Sequence, residues 1–304
     1  MAEFIGLHQQ IKSNNTRSII ILLCFPLLIL VADYAFLFFS FNGKEHQNEV
    51  NQLFFQSIPL VILGVGMWFA IAYFANATMI RLATNAETLE RQDNMRVYNL
   101  TENLCMSVGM KMPKLYVIQS PALNAFASGI DEKSYAVTLT TGIINHLSDE
   151  ELEGVIAHEL THIRNKDVRL LIVTIIFVGI FSFLVQVLFR SLLFGGNRRR
   201  DKDSGGGQLV IIALVISVVA YLLTILFKFA LSRKREYLAD AGAVEMTRNS
   251  MAMASALRKI SGNSEVDSVK SDDVKELFIE YKSVSGLFST HPPIEKRIAV
   301  LEQM

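Results

Sequence analysis

The sequence predicts an α+β, mainly helical integral membrane protein, with four hydrophobic helices joined to a polar domain that holds a small sheet. Three observations predict it. Of 304 residues, 51% are hydrophobic and only 19% charged, and the mean hydropathy is positive, which is more apolar than a soluble chain of this length. Four apolar runs, near 18–40, 57–80, 169–190 and 209–228, each approach or exceed the roughly 20 residues that a helix needs to cross about 30 Å of hydrocarbon. The stretches between them are polar and switch between strand-like and helix-like patterns. Formal net charge is zero, with 29 basic and 29 acidic residues, so a nucleic-acid partner has no overall electrostatic footprint to stand on. Cys24 and Cys105 lie far apart in unlike surroundings and build neither a disulfide framework nor a CxxC metal site.

The first run, "SIIILLCFPLLILVADYAFLFFS", contains Pro26 and Asp33. A carboxylate at that depth is either functional, because ionising it in lipid is costly, or close enough to the surface to reach the headgroups. Its apolar length exceeds that of a signal peptide and no small-x-small cleavage site follows, so it reads as a retained anchor. The second run carries Trp68 and ends at Arg81, completing an N-terminal hairpin over 1–81. Lys12 and Arg17 precede this hairpin and Arg81, Arg91 and Arg96 follow it, whereas its loop holds Lys44 against Glu45 and Glu49. The positive-inside rule then places the N-terminus and residues 82–167 in the cytoplasm.

Residues 82–168 form the first part of the polar domain. Residues 82–110 read as a polar helix, "KLYVIQS" and "SYAVTLT" as strands, and "NAFASGIDEK" between them as a turn. Ser148 and Glu151 make an S-x-x-E capping box, and Leu152, Val155, Ile156 and Leu160 continue it as an amphipathic helix. The second hydrophobic hairpin spans 169–228, and its loop, "GGNRRRDKDSGGGQ", is basic. Either that loop is translocated against its charge or the hairpin does not fully cross. Residues 229–304 complete the polar domain, with a low-complexity linker at 261–273.

The chemistry sits on the capped helix. His158 and His162 are four residues apart and point the same way, so both imidazoles reach one ion, while Glu159 projects beside them. This is the zinc-protease pattern, in which two histidines hold Zn²⁺ and the glutamate takes a proton from the water that the metal activates. The other reading is a pair of surface histidines on a helix. A catalytic zinc needs a third protein ligand and an open fourth position, and "SRKREYLADAGAVE" offers Glu236 and, one turn on, Asp240. If helix continues from His162 to Leu170 and from Phe227 to Glu236, an antiparallel hairpin brings the ligands level, each about 12–14 Å from its membrane end. Asp240 then either accepts an N–H from a ligating histidine or is a solvated carboxylate. His291, before the double proline of "STHPPIEKRI", is either a donor to substrate or oxyanion or simply a turn residue at a helix start. His8, His46 and His146 have no motif around them.

With those residues in hand, the chain resembles the HtpX family of membrane zinc metalloproteases, relatives of the CAAX prenyl proteases. The resemblance runs through two N-terminal spans, "NAFASG" at 124–129, "HELTH" at 158–162, a second hydrophobic hairpin, "EYLAD" at 236–240 and "HPPIEKRI" at 291–298. It implies a zincin-like cytoplasmic protease domain in which His158, His162 and Glu236 ligate one Zn²⁺ and Glu159 is the general base. It also implies that Asn124 and Ala125 edge the active-site cleft, where a substrate backbone pairs as an added strand. The expected partners are membrane-protein or peptide substrates and the lipid bilayer, with damaged membrane proteins cut on the cytoplasmic side, in a bacterial inner membrane. The competing reading is a membrane scaffold or sensor with a structural zinc, but such a site usually has four ligands including cysteines, and neither Cys24 nor Cys105 has a partner motif.

Overall fold

A computed structural model describes residues 7–41, 44–194, 206–229, 234–269, 272–275, 277–280 and 291–304. In chain order the elements are α1 Leu7–Ser40, α2 Gln47–Thr84, β1 Glu87–Thr88, α3 Met95–Ser107, β2 Lys114–Ile118, β3 Ala125–Ser128, β4 Ala136–Thr140 and α4 Thr141–His146. They continue as α5 Asp149–Arg164, α6 Asp167–Phe194, α7 Gly206–Phe229, α8 Lys234–Thr247, α9 Ser250–Ile260, α10 Asp272–Lys275 and α11 Ile294–Leu301. The fold is thus mainly helical with one small sheet. It divides into two compact units, one of Met1–Thr16, Ala75–Ile172 and Leu231–Met304, the other of Arg17–Phe74 and Val173–Ala230.

The second unit holds most of each apolar run, and each of the four is helical. Among the described residues α1, α2 and α6 are long and apolar enough to cross a membrane, while the apolar run within α7, Leu209–Leu223, is shorter. Apolar side chains such as Phe74, 83% exposed, and Leu60, 72% exposed, point outward, as lipid-facing residues do. Asp33 accepts a hydrogen bond from Ser57 at 2.6 Å, so the carboxylate has a partner on the facing helix. Trp68 donates from its indole to the Ile176 carbonyl at 3.3 Å and packs on Phe183. The basic residues at 198–202, whose side of the membrane the sequence leaves open, lie outside the described residues, as do 270–271 of the linker.

In the first unit the strands are ordered β1-β2-β4-β3, with β2 and β4 parallel and β3 antiparallel to β4 at an edge. Helix α5 packs on β3 and β4 and is covered by α3, α8 and α9. Its N-terminus is the expected capping box: Ser148 Oγ accepts from the Glu151 N–H and the Glu151 carboxylate accepts from the Ser148 N–H. The apolar positions Leu152, Val155, Ile156 and Leu160 are fully buried.

Three local expectations change. Residues 82–110 are not one helix: α2 runs on to Thr84, Asn85 turns left-handed at φ 52°, β1 follows, and α3 starts only where Asn94 caps it by accepting from the Val97 N–H. "NAFASGIDEK" is not all turn, because Ala125–Ser128 is a wholly buried strand; small residues hid a pairing that β4 supplies from a distance. The turn proper begins at Gly129, φ 108°, where an added Cβ would strike the Ser134 carbonyl. Finally, helix does not continue from His162 into the third apolar run. It stops at Arg164, and Lys166 adopts φ 60° before α6 begins at Asp167. The matching connection at 230–233 lies outside the described residues.

Candidate metal centre

One turn of α5 separates His158 from His162, and their rings meet edge to face with the two Nε2 atoms 3.2 Å apart. Glu236, near the start of α8, places Oε2 3.6 Å from His158 Nε2 and Oε1 3.7 Å from His162 Nε2. One ligand atom from each of the three residues lies within 4.8 Å of the others. Two nitrogens bound tetrahedrally to one zinc stand about 3.3 Å apart, given Zn–N distances near 2.0–2.1 Å, so the spacing fits. Helix α8 reaches this position because Gly242 lets it come close to α5: an added Cβ there would lie 2.4 Å from Thr161 Cγ2. Thr161 is β-branched and bonded to the Ala157 carbonyl, so it has little room to yield. Gly242→Ala is therefore expected to push Glu236 away from the histidines, and zinc titration of the purified chain should show weaker binding while the spans and sheet persist.

The tautomers also fit a cation. His158 Nδ1 lies 2.9 Å from Asp240 Oδ1 and His162 Nδ1 lies 3.2 Å from Asp167 Oδ2. Ionised carboxylates only accept, so each Nδ1 donates to its carboxylate and the Nε2 atoms of the two rings face each other. The carboxylates around the two rings favour a positive charge at this point. Against the opposing effect of burial, Glu236 and Asp167 push the His162 imidazolium up to about 10. Burial likewise opposes ionisation of Glu236, yet the His291 and His162 charges hold its carboxyl well below the usual range. Glu236 Oε2 also has no hydrogen-bond partner among the described residues.

Glu159 differs. It is 2% exposed, and burial raises its carboxyl above the usual range against the pull of the two imidazoles and the approaching Ala127 N–H. Its Oε1 has no hydrogen-bond partner among the described residues. It lines one cavity together with Ala127, His162, Glu236, Leu277 and His291. His291 reaches this cavity from just before α11 and sets Nδ1 3.2 Å from Glu236 Oε2.

Asp240 lies against His158, and on its far side stands a residue that sequence reasoning missed. Arg297 of α11 is 1% exposed, donates from Nε and Nη2 to the two Asp240 oxygens at 2.9 and 2.7 Å, and lies 3.5 Å from Glu236 Oε2. Against burial, the Arg297 and His158 charges hold the Asp240 carboxyl down to about 2. Asp167, at the start of α6, was missed too. Its one available signal was the i,i+5 spacing from His162, which becomes a contact only through the left-handed Lys166.

Asn124 and Ala125 do not line this cavity. The Asn124 amide is buried, donating to the Ser264 and Glu280 carbonyls at 2.7 and 3.0 Å, while its Oδ1 accepts from the Ala125 N–H. Ala127, two residues along the same strand, is the β3 residue that faces Glu159.

Residues 91–304 match peptidase family M48. Over nearly its whole length the chain is similar to a "Protease HtpX homolog" of Bacteroides fragilis, at 51% identity over 99% of each chain. It is also similar to one of Lactobacillus acidophilus, at 36% identity over 98% of this chain and 100% of that one. The crystal structure of S. mikatae Ste24p shares 21% identity with a TM-score of 0.47, covering 90% of this chain and 61% of that one.

Proposed function

This chain belongs to peptidase family M48, and from that premise we propose a zinc-dependent endopeptidase that cuts misfolded or damaged membrane proteins on the cytoplasmic side of a bacterial inner membrane. The protein is a membrane metallopeptidase whose substrates are peptides or proteins and whose family uses a metal. The observation that carries this reading is a buried carboxylate, Glu159, one of whose oxygens has no hydrogen-bond partner among the described residues, beside three candidate ligands that converge from two helices.

Zinc fits this set of two imidazoles and one carboxylate with a position left over, and when bound it supplies a Lewis acid that polarises a carbonyl and acidifies water. His158, His162 and Glu236 would hold it. Asp240 and Asp167 keep each ring in the tautomer that offers Nε2. Glu159 accepts a proton as the nucleophile attacks and returns it to the leaving amine, a task suited to a carboxyl whose affinity for protons burial has raised. His291, next to Glu236 at the cavity wall, donates to the oxygen on which negative charge develops. The Ala127 side of β3 supports the substrate backbone.

Cytoplasmic orientation rests on Arg81, Arg91 and Arg96 after the N-terminal hairpin. A cysteine introduced at exposed Lys133 should react with an impermeant thiol reagent only once the cytoplasmic face is opened. The activity test uses the full chain in detergent with an unfolded segment tethered to a membrane span. Cleavage is expected to stop on chelation and return with stoichiometric zinc, and to be faster than for the same segment untethered. A zinc-loaded chain that cuts neither would sink the assignment, and equal rates on both would remove the preference for membrane proteins.

A further inference from the structure

A short piece of this chain already lies where an added strand would lie. Residues 277–280 follow the outer edge of β3 in reverse order. Leu277 shares the cavity wall with Ala127, the Phe278 ring meets Phe126 edge to face at 5.0 Å, the Ile279 N–H donates to the Ala125 carbonyl at 2.8 Å, and Asn124 donates to the Glu280 carbonyl. Each step forward along one is a step back along the other, which is antiparallel register. The edge is the correct one: the Asn124 carbonyl accepts from the Thr140 N–H on the β4 side, so by alternation Ala125 and Ala127 present their backbone groups outward. Leu277, Phe278 and Ile279 are all buried.

The attachment differs from an ordinary sheet strand. The Leu277 and Phe278 N–H groups turn back to the Val274 and Lys275 carbonyls, leaving Ile279 as the residue whose N–H bonds the strand. The Ile279 carbonyl accepts instead from Arg297 at 3.2 Å. The Ala125 carbonyl as acceptor for an N–H, the Arg297 guanidinium as donor to a carbonyl, and Phe126 as a platform for large side chains together form the footprint of an extended peptide beside the candidate metal centre.

Resting on the peptidase reading above, we propose that residues 277–280 are an internal stand-in for substrate, displaced when an extended apolar segment of the polypeptide to be cut takes their place on β3. Selectivity follows from the exchange. Lifting Leu277, Phe278 and Ile279 off β3 exposes apolar surface, and only an incoming segment that brings comparable apolar surface compensates for it. A proline opposite Ala125 has no N–H to offer its carbonyl and is rejected. The substrates selected are proline-free apolar stretches normally hidden in a bilayer or a folded core, and a polar unfolded segment leaves the stand-in in place.

The test uses the zinc-loaded full chain in detergent and a soluble apolar peptide free of proline. Phe278→Ala removes the ring pair and is expected to raise kcat/KM about three- to tenfold with zinc content unchanged. An unchanged or lower rate with zinc retained overturns the displacement. Hydrogen exchange at the Ile279 amide in Glu159→Gln gives a second reading that does not depend on the Phe278 variant folding. That amide is expected to be protected in the free protein and to lose its own protection at saturating peptide, whereas protection that persists under saturation means that substrate binds elsewhere. If the wild-type chain cleaves no peptide at all, the peptidase assignment itself fails and the proposal goes with it.

Discussion

Glu159→Gln is expected to lower peptide cleavage by about 10²- to 10⁴-fold, the usual worth of a positioned general base, while the chain still binds one zinc. The two halves of this result have separate causes. Zinc is expected to stay because the substitution touches none of the proposed ligands, His158, His162 and Glu236. Cleavage goes because an amide has no basic oxygen to take a proton, and the site is too well buried for a free base to stand in. Glu236→Ala should differ, losing zinc and cleavage together, so the pair of variants separates base from ligand. The sign with pH is also set. Glu159 works ionised and burial raises its affinity for protons, so activity falls as pH drops through its pKa, on a limb that bound metal pulls back toward lower pH. That limb should vanish from whatever activity Glu159→Gln retains. Unchanged cleavage in the variant would mean that the catalytic centre lies elsewhere.

How legible this centre was depends on how far along the chain its parts are spread. His158, Glu159 and His162 were legible because one helical turn fixes their mutual placement and a local capping box fixes the helix. Glu236 and Asp240 needed the hairpin argument and the family resemblance. One premise of that argument, unbroken helix from His162 onward, is wrong at Lys166. Arg297 lies inside the "HPPIEKRI" stretch, but a buried arginine there looks like an exposed one, and only tertiary packing brings it to Asp240, as it brings residues 277–280 to β3. β3 was hidden for a related reason, since Ala-Phe-Ala-Ser has weak strand propensity and becomes a strand through β4. The apolar runs were the clearest feature, because length and hydropathy alone decide them.

Arg297 carries the largest expected effect on stability. Its guanidinium forks onto both Asp240 oxygens and stands beside Glu236, with every group at or below 4% exposure. Arg297→Met keeps most of the volume and removes the charge, leaving the buried Asp240 carboxylate with His158 alone at a cost of about 3–5 kcal/mol. Unfolding of the metal-free full chain in detergent should show that loss. Zinc then discriminates between two roles. If Arg297 chiefly neutralises Asp240 and Glu236 before metal arrives, zinc replaces the missing charge and should stabilise the variant more than it stabilises the wild type. If it chiefly orients His158 through Asp240, zinc should bind the variant more weakly and restore less. The contacts to two carboxylates favour the first outcome. Acid gives an independent check. With its folded-state pKa held down to about 2, Asp240 contributes stability that is fully present above about pH 4 and lost as pH falls toward 2. Without Arg297 that pKa rises, so the loss should set in at higher pH, and an acid-unfolding curve identical to that of the wild type would show that the ion pair adds nothing to the fold.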